Sequence, residues 1–430
     1  MNIDRRRVVI TGMSVVSANG CELEEFWRNL VAGRSAVRPI QRFDARPFPS
    51  RIAAWIDDRD VPEMTEGSVW AAGRGRIAQY AALAADRAIT DARLPVSQVA
   101  ARTGVAIAAG IGTCEHLELF KPCGAARVSD GELDWTAFAG AARREFGPFA
   151  TERRSPGSIA ASIAHQYAFH GPVMAVMTAC AGGTQAIGDG LRWIRHGRAD
   201  VVIAGGSDSE LYPMGLASFC LLGALSRRND TPAAASRPFD AGRDGFVLGE
   251  GAGMLVLEER EHALRRGARI HAEVAGFGSA CDAFRVTDPN PDGIGARLAI
   301  ARAINDAGIT PSRIDYINAH GTSTVANDRI ETLAIRQVFA ERAPHIPISS
   351  TKSLMGHTTV AAGAIEAIAT ALTLIHQTIH PTINQDTPDP DCDLDYVPNR
   401  ARAARVDAAL SNSFAFGGQA ASLVMRRHQS

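Results

Sequence analysis

The amino-acid sequence predicts an α/β protein. Short β-branched runs alternate with Ala-rich helical segments along the chain, and no low-complexity stretch interrupts them. A weaker observation concerns duplication: RRVVITGMSVVSA near the start and RIHAEVAGFGSAC near residue 270 each lead a short strand into glycine and small residues, then into a long helical stretch. Two similar halves explain this echo, and so does chance.

The chain opens on a basic N-terminus whose apolar run is broken by Thr11, Gly12 and Ser14, so Arg7–Thr11 reads as a first strand and not as a signal peptide. Further strands are expected at Thr103–Ala109, Val173–Met177, Val201–Ala204, Gly253–Glu258, His271–Gly278, Ile314–Asn318 and Ala408–Ser413. Helices are expected at Leu23–Ala32, Arg76–Ile89, Thr184–His196, Gly295–Ala307, Asp328–Phe339 and Ala362–Gln377. Asp386–Asp395 (DTPDPDCDLD) has the composition of a solvated loop. GEGAGM (Gly249–Met254) leads into a strand instead of a helix, which removes the dinucleotide-loop reading.

At 430 residues the chain suffices for one large domain or two closely packed ones. Hydrophobic residues make up 46% and charged residues 21%, an ordinary globular balance. A net charge of -1 gives no reason to expect nucleic acid or an anionic membrane as partner. No run of consecutive apolar residues reaches membrane-spanning length. The seven cysteines, at 21, 114, 123, 180, 220, 281 and 392, are odd in number and lack zinc-site or redox spacing, so no metal site is expected and a reducing cytoplasm fits. Arginine dominates the basic residues; the two lysines are Lys121 and Lys352, which singles out Lys352.

TACAGGT (Thr178–Thr184) places Cys180 between an expected strand and an expected helix. A helix N-terminus lowers a thiol pKa, small neighbours admit a thioester, and backbone N–H groups there can hold an oxyanion. Taken alone, Cys180 is better read as one more buried structural cysteine. The odds change with its companions. His320 follows the expected strand Ile314–Asn318 in NAHGTST, at a strand's C-terminal edge. Lys352 and His357 sit in STKSLMGHTT, on a loop before an Ala-rich helix that carries Glu366. Small and hydroxyl residues surround both histidines; the other ten, at 116, 165, 170, 196, 262, 271, 345, 376, 380 and 428, are set aside as core or surface residues. A thiolate for thioester exchange and two imidazole N–H donors for an enolate oxygen form a chemically coherent set.

These blocks, with GMSVVSANG, SRPFDAGRDGFVLGEGAGMLVLEE (Ser236–Glu259), GAIEA and NSFAFGG (Asn412–Gly418), resemble the elongating β-ketoacyl-acyl carrier protein synthases with a Cys–His–His centre. The resemblance runs over almost the whole chain. It implies a duplicated five-layered thiolase-like fold (α-β-α-β-α), with halves 1–262 and 263–430. It implies decarboxylative condensation of an acyl group on Cys180 with malonyl-acyl carrier protein, in fatty acid or polyketide or polyene synthesis. His320 and His357 would promote decarboxylation, Lys352 would support them, and Glu366 would stand behind. Phe416 would gate the site and share the oxyanion hole with Cys180. Thr322 and Thr324 would hold the phosphopantetheine arm, which arrives on the carrier, so no resident cofactor is expected. Ala179, Gly215 and Phe219 would line the acyl pocket. The implied partners are an acyl carrier protein and a second subunit, as homodimer or as heterodimer with a chain-length-factor-like chain. Arg74, Arg76, Arg227 and Arg228 fall near segments where relatives present basic residues, and read equally well as solvated surface.

Three departures stand out. NSFAFGGQAA replaces the usual NSFGFGGTNA, so Ala415, Gln419 and Ala420 alter the gate and leave Asp282 on the opposite loop without an asparagine partner. Thr358, Thr359 and Val360 replace the usual Gly-Leu-rich segment and are expected to reshape the cavity beside His357. Glu115–Pro156 resembles the family poorly. Two rival readings are weaker. A thiolase would place a second cysteine in the loop that reads NSFAFGG here, and an inert chain-length subunit would lack the cysteine.

Overall fold

Runs such as VVITGMSVVS are apolar or small on both alternating faces, which requires a sheet covered on both sides. Ten strands form the continuous path of a twelve-stranded sheet. The structure is a computed structural model that describes residues 6–60, 75–110, 116–127, 132–146 and 155–428. The ten strands are β1 (Val8–Ser17), β2 (Thr103–Ala109), β3 (Val173–Val176), β4 (Val201–Ser209), β5 (Leu248–Glu259), β6 (Ala272–Cys281), β7 (Tyr316–Asn318), β8 (Ile348–Ser349), β9 (Ala408–Ala415) and β10 (Gln419–Arg426). Their order is β8-β7-β9-β10-β6-β1-β5-β4-β2-β3.

One pattern occurs twice in that order. β1-β5-β4-β2-β3 and β6-β10-β9-β7-β8 both run first, fifth, fourth, second, third. In each, the first two pairings are antiparallel and the last two parallel. A short antiparallel pairing of β1 with β6 joins them. The strands expected from sequence are all present, several of them longer. β8 and β10 were not expected.

Helices α1 (Arg76–Asp91), α2 (Gly182–Arg195), α3 (Ile294–Asp306), α4 (Val325–Phe339) and α5 (Ala362–His376) complete five layers. α1 covers one outer face and α3, backed by α4, the other, while α2 and α5 lie between the two halves of the sheet. Separate apolar cores fill the spaces between these layers. The stretch Thr359–His376 is long and apolar enough to cross a membrane, yet it is mostly buried in the central layer. In Glu115–Pro156, helices His116–Ala125 and Trp135–Glu145 are seen, and Glu115, 128–131 and 147–154 lie outside the described residues.

Two glycines bring the central helices together. A Cβ on Gly183 would fall 2.6 Å from Ala364 N, and one on Gly363 would fall 2.1 Å from Thr184 Oγ1. The helix N-termini therefore meet, and the residues just before them share one space. GEGAGM belongs to β5 itself; a Cβ on Gly253 would stand 2.8 Å from Ile365 N, so this glycine admits α5 to the sheet.

Candidate active site

Three strand-to-helix connections build the site. β3 leads through Cys180 into α2, β7 through His320 into α4, and β8 through Lys352 and His357 into α5. Cys180 sits in a tight turn whose preceding residue, Ala179, has φ +45°. His357 is held at the mouth of β5, its N–H donating to Val247 O (2.7 Å) and its carbonyl accepting from Gly249 N (2.9 Å).

The tautomers of both histidines follow from their partners. Thr359 N–H donates to His357 Nδ1 (3.2 Å), so Nδ1 carries no proton and the proton lies on Nε2, 3.1 Å from Cys180 Sγ. His320 Nδ1 is 3.2 Å from Lys352 Nζ, a pure donor, so its proton is also on Nε2. The two rings meet edge to face at 5.4 Å. Burial, then the Lys352 charge, holds both histidines well below the usual imidazole range, so both are neutral near pH 7. Two neutral imidazoles thus present N–H donors near one sulfur.

Lys352 is 2% exposed and binds three groups: His320 Nδ1, His320 O (2.7 Å) and Glu366 Oε1. Burial pushes Glu366 up to about 7, against the pull of the Lys352 ammonium. Glu331 was not singled out from sequence. It accepts the N–H groups of His320 (2.9 Å) and Gly321 (2.8 Å) and so fixes the turn that presents His320. Asp208, at the end of β4, was also missed; it accepts from Thr359 Oγ1 and Val360 N. A charged residue at a strand's C-terminal end was the available signal for Asp208.

Cys180 departs from the expectation of a lowered pKa. Burial pushes the thiol up to about 12, opposed by Lys352 and reinforced by Asp208. The helix N-terminus and the His357 N–H favour the thiolate, but desolvation by burial is larger.

Cys180, His320 and His357 line one cavity of about 410 Å³, together with Thr322, Thr324, Phe416, Asp282 and Ala415. Thr322 and Thr324 share a hydroxyl hydrogen bond of 2.8 Å. Lys352 and Glu366 lie behind the wall. Ala179, Gly215 and Phe219, the residues expected at the acyl pocket, are not on the lining of this cavity. Ala179 sits under the Cys180 turn, and Gly215 packs its helix onto Glu210, where a Cβ would fall 2.4 Å from the carbonyl oxygen. Phe219 is one ring removed: it meets Phe246 at 5.8 Å, and Phe246 meets His357 at 5.2 Å. Thr358, Thr359 and Val360 lie behind His357 and do not line the cavity either. Asp282 is not left without a partner. Its carboxylate accepts from Asn290 N (2.9 Å) and Gly295 N (2.7 Å), and its own N–H reaches Gly418 O (2.8 Å). The two loops are therefore joined through backbone.

Of the four arginines, Arg227 is exposed and Arg228 half-buried, next to cavity residues Leu222–Ala224. Arg76 binds the Tyr80 hydroxyl (3.1 Å) and is not at the cavity, and Arg74 lies outside the described residues.

Residues 5–263 match the β-ketoacyl synthase N-terminal domain and residues 271–386 its C-terminal domain. The chain belongs to the β-ketoacyl synthase family. It is 41% identical, over all of both chains, to the 3-oxoacyl-[acyl-carrier-protein] synthase 2 of Synechocystis sp.. Among solved structures, it superposes with a TM-score of 0.87 and 38% identity on a type II polyketide synthase ketosynthase in complex with its acyl-carrier protein, covering 99% of this chain and 100% of the other. The ishigamide ketosynthase/chain length factor gives 0.85 and 39%, with the same coverage. The fold is thus the thiolase-like one of ketosynthases, and the protein is an acyl-transferring condensing enzyme.

Proposed function

We propose that this β-ketoacyl synthase works through Cys180, His320 and His357, extending an acyl group by two carbons from a malonyl unit on an acyl carrier protein. The observation that carries the reading is the pair of neutral imidazoles, each with its Nδ1 occupied, near one cysteine in one cavity. In the first half-reaction the Cys180 sulfur attacks the donor thioester, the carbonyl–sulfur bond to pantetheine breaks, and the thiol proton leaves with the pantetheine sulfur. Backbone N–H groups of Cys180 and Phe416 hold the transient oxyanion. In the second, malonyl thioester loses CO₂, and the enolate oxygen is held by the Nε2–H groups of His320 and His357. The enolate carbon attacks the acyl-Cys180 carbonyl, a carbon–carbon bond forms, and Cys180 leaves as thiolate and takes up one proton. The Lys352–Glu366 pair keeps His320 in its donor tautomer.

Thr322 and Thr324 hold the pantetheine arm, so the chemistry asks for no resident cofactor. Arg227 and Arg228 receive the acidic carrier beside the cavity mouth. A second subunit pairs with the outer strand β3, where Val173 and, just past the strand's end, Met177 are exposed. The ketosynthase/chain length factor likeness favours a heterodimer as much as a homodimer. The cytoplasm, which keeps the cysteines reduced, is the compartment this chemistry fits.

The test incubates the protein with acyl-carrier thioesters of graded length and malonyl-carrier protein, following enzyme and product by intact mass. Acylation of Cys180, absent in Cys180→Ala, with a β-ketoacyl product is the expected result. Acylation without product points to a missing subunit. No acylation by any donor overturns the reading.

A further inference from the structure

The turn that follows His357 is unusual. Thr359 is β-branched yet has φ +45°, a conformation that such residues rarely adopt. It is 5% exposed, so neither solvent nor a loop's freedom accounts for it. What holds it is Asp208, 1% exposed, at the end of β4 in the other half of the molecule. Asp208 Oδ2 accepts the Thr359 hydroxyl and the Val360 N–H (3.1 Å), while Oδ1 accepts the Ser209 N–H (2.9 Å). The same strained residue turns its own N–H onto His357 Nδ1 at 3.2 Å. That bond decides which ring nitrogen faces Cys180 with a proton.

We propose that Asp208 is a positioning residue for the reaction, acting through Thr359 to keep His357 Nε2–H aimed at Cys180. The carboxylate clamps the turn, the turn supplies the donor that occupies Nδ1, and the occupied Nδ1 leaves Nε2–H for the sulfur and for the enolate. Strain at a reactive centre persists only where its surroundings over-determine it, and two hydrogen bonds to one buried carboxylate do this here. The charge itself is not the useful part, because Asp208 raises the Cys180 thiol pKa instead of lowering it. Its benefit is geometric. This inference rests on the condensing role given to Cys180 and His357.

The discriminating variant is Thr359→Val, which removes the hydroxyl, keeps the branched shape and leaves the Asp208 charge in place. One readout does not depend on any acyl substrate: the pH profile of Cys180 alkylation by iodoacetamide. Loss of the Nε2–H donor should move this profile up by about one unit, the scale of a hydrogen bond to a charged group. The second readout is malonyl-carrier turnover, where kcat should fall about tenfold with KM held. Asp208→Asn should lower kcat to a similar extent, and the double variant should be no worse than the more impaired single one, the mark of one coupled unit. Thr359→Ser, which restores the hydroxyl, should recover most of the turnover. An unmoved alkylation profile in a folded Thr359→Val protein overturns the proposal, as does an additive double variant. If the wild type neither acylates nor condenses, the reading of the function falls first, and the alkylation profile still judges the clamp.

Discussion

The connection from the third strand of each half to its central helix can be compared residue by residue. In one half it reads Thr178-Ala179-Cys180-Ala181-Gly182-Gly183, in the other Thr358-Thr359-Val360-Ala361-Ala362-Gly363. Both make the same tight turn, and the second residue of each has φ +45°. Val360 therefore occupies in the second half the place that Cys180 occupies in the first. One turn presents a sulfur to a cavity, whereas the other presents an apolar side chain to Gly182, whose Cβ would lie 2.9 Å from Val360 Cγ1. The chemistry of the second connection has moved upstream, to Lys352 and His357. A strained turn at a helix N-terminus is thus a placement device, and reactivity comes from what faces it.

The largest expected effect tests that statement. Cys180→Ala should abolish acylation and reduce condensation at least about ten-thousandfold, as loss of a nucleophile does. Adding Val360→Cys to that variant restores the thiol at the equivalent turn but without an imidazole donor or the cavity. Intact mass should show no acylation at the new position. Acylation there would mean that the turn and helix N-terminus activate sulfur by themselves.

A second comparison sets the Lys352–Glu366 pair against the absence of any charge at the matching place before Cys180. Both side chains are 2% exposed or less, so each depends on the other. Lys352→Met leaves a buried carboxylate without its cation and should cost about 3–5 kcal/mol, read from denaturant unfolding. Lys352→Met combined with Glu366→Leu should recover most of that stability but not the turnover, because His320 Nδ1 has lost its donor. Recovery of both would remove the pair from the catalytic account.

The glycines at the meeting of the central helices should respond alike if the two halves are equivalent there. Gly183→Ala drives a Cβ against Ala364 N, and Gly363→Ala drives one against Thr184 N and Oγ1. Each should destabilise by about 1–3 kcal/mol, measured by thermal or denaturant unfolding. A large effect from one and none from the other would show that the contact is tighter on one side than the matching turns imply.

Much of this was legible in the sequence, for physical reasons that also mark the limit. Strands buried on both faces appear as unbroken apolar runs, so β1, β2, β4 and β9 could be read, as could the Ala-rich helices. β10 begins Gln-Ala-Ala and carries one β-branched residue, Val424, and β8 is two residues long inside a polar loop; neither shows periodicity. Cys180, His320 and His357 were readable because small residues leave space around them. Glu331 was not, since a buried acid and a solvated one look identical until their N–H partners are in place, and Asp208 was marked only by its place at a strand's C-terminal end. Most of the cavity wall was not legible for a related reason. It is assembled from segments distant in sequence, such as the loops Leu222–Ala224 and Val286–Pro289 and the first turns of α4 at Val325, Ala326, Asn327 and Ile330, whereas Gly215 and Phe219 make their contacts one layer back.

The smallest effect concerns pH and separates the histidine from the acids around it. His357 is held well below the ordinary imidazole range by burial and then by Lys352. In the unfolded chain it takes up a proton near pH 6.5, whereas in the folded protein it does not. The unfolded state therefore binds more protons as pH falls, and folding stability is lost below that point. Asp208, raised to about 6, and Glu331 and Glu366, each raised to about 7, act in the opposite sense, because the folded state is the one that protonates first. The wild-type profile alone therefore mixes the two. The difference between wild type and His357→Gln isolates the imidazole: the variant should gain stability relative to wild type as pH drops from 7 to 5. The gain should approach about 1.4 kcal/mol per unit and reach at most about 2 kcal/mol at pH 5. Denaturant unfolding across that range reads it directly. A flat difference would mean that His357 titrates normally in the fold, and the neutral N–H donor facing Cys180 would lose its basis.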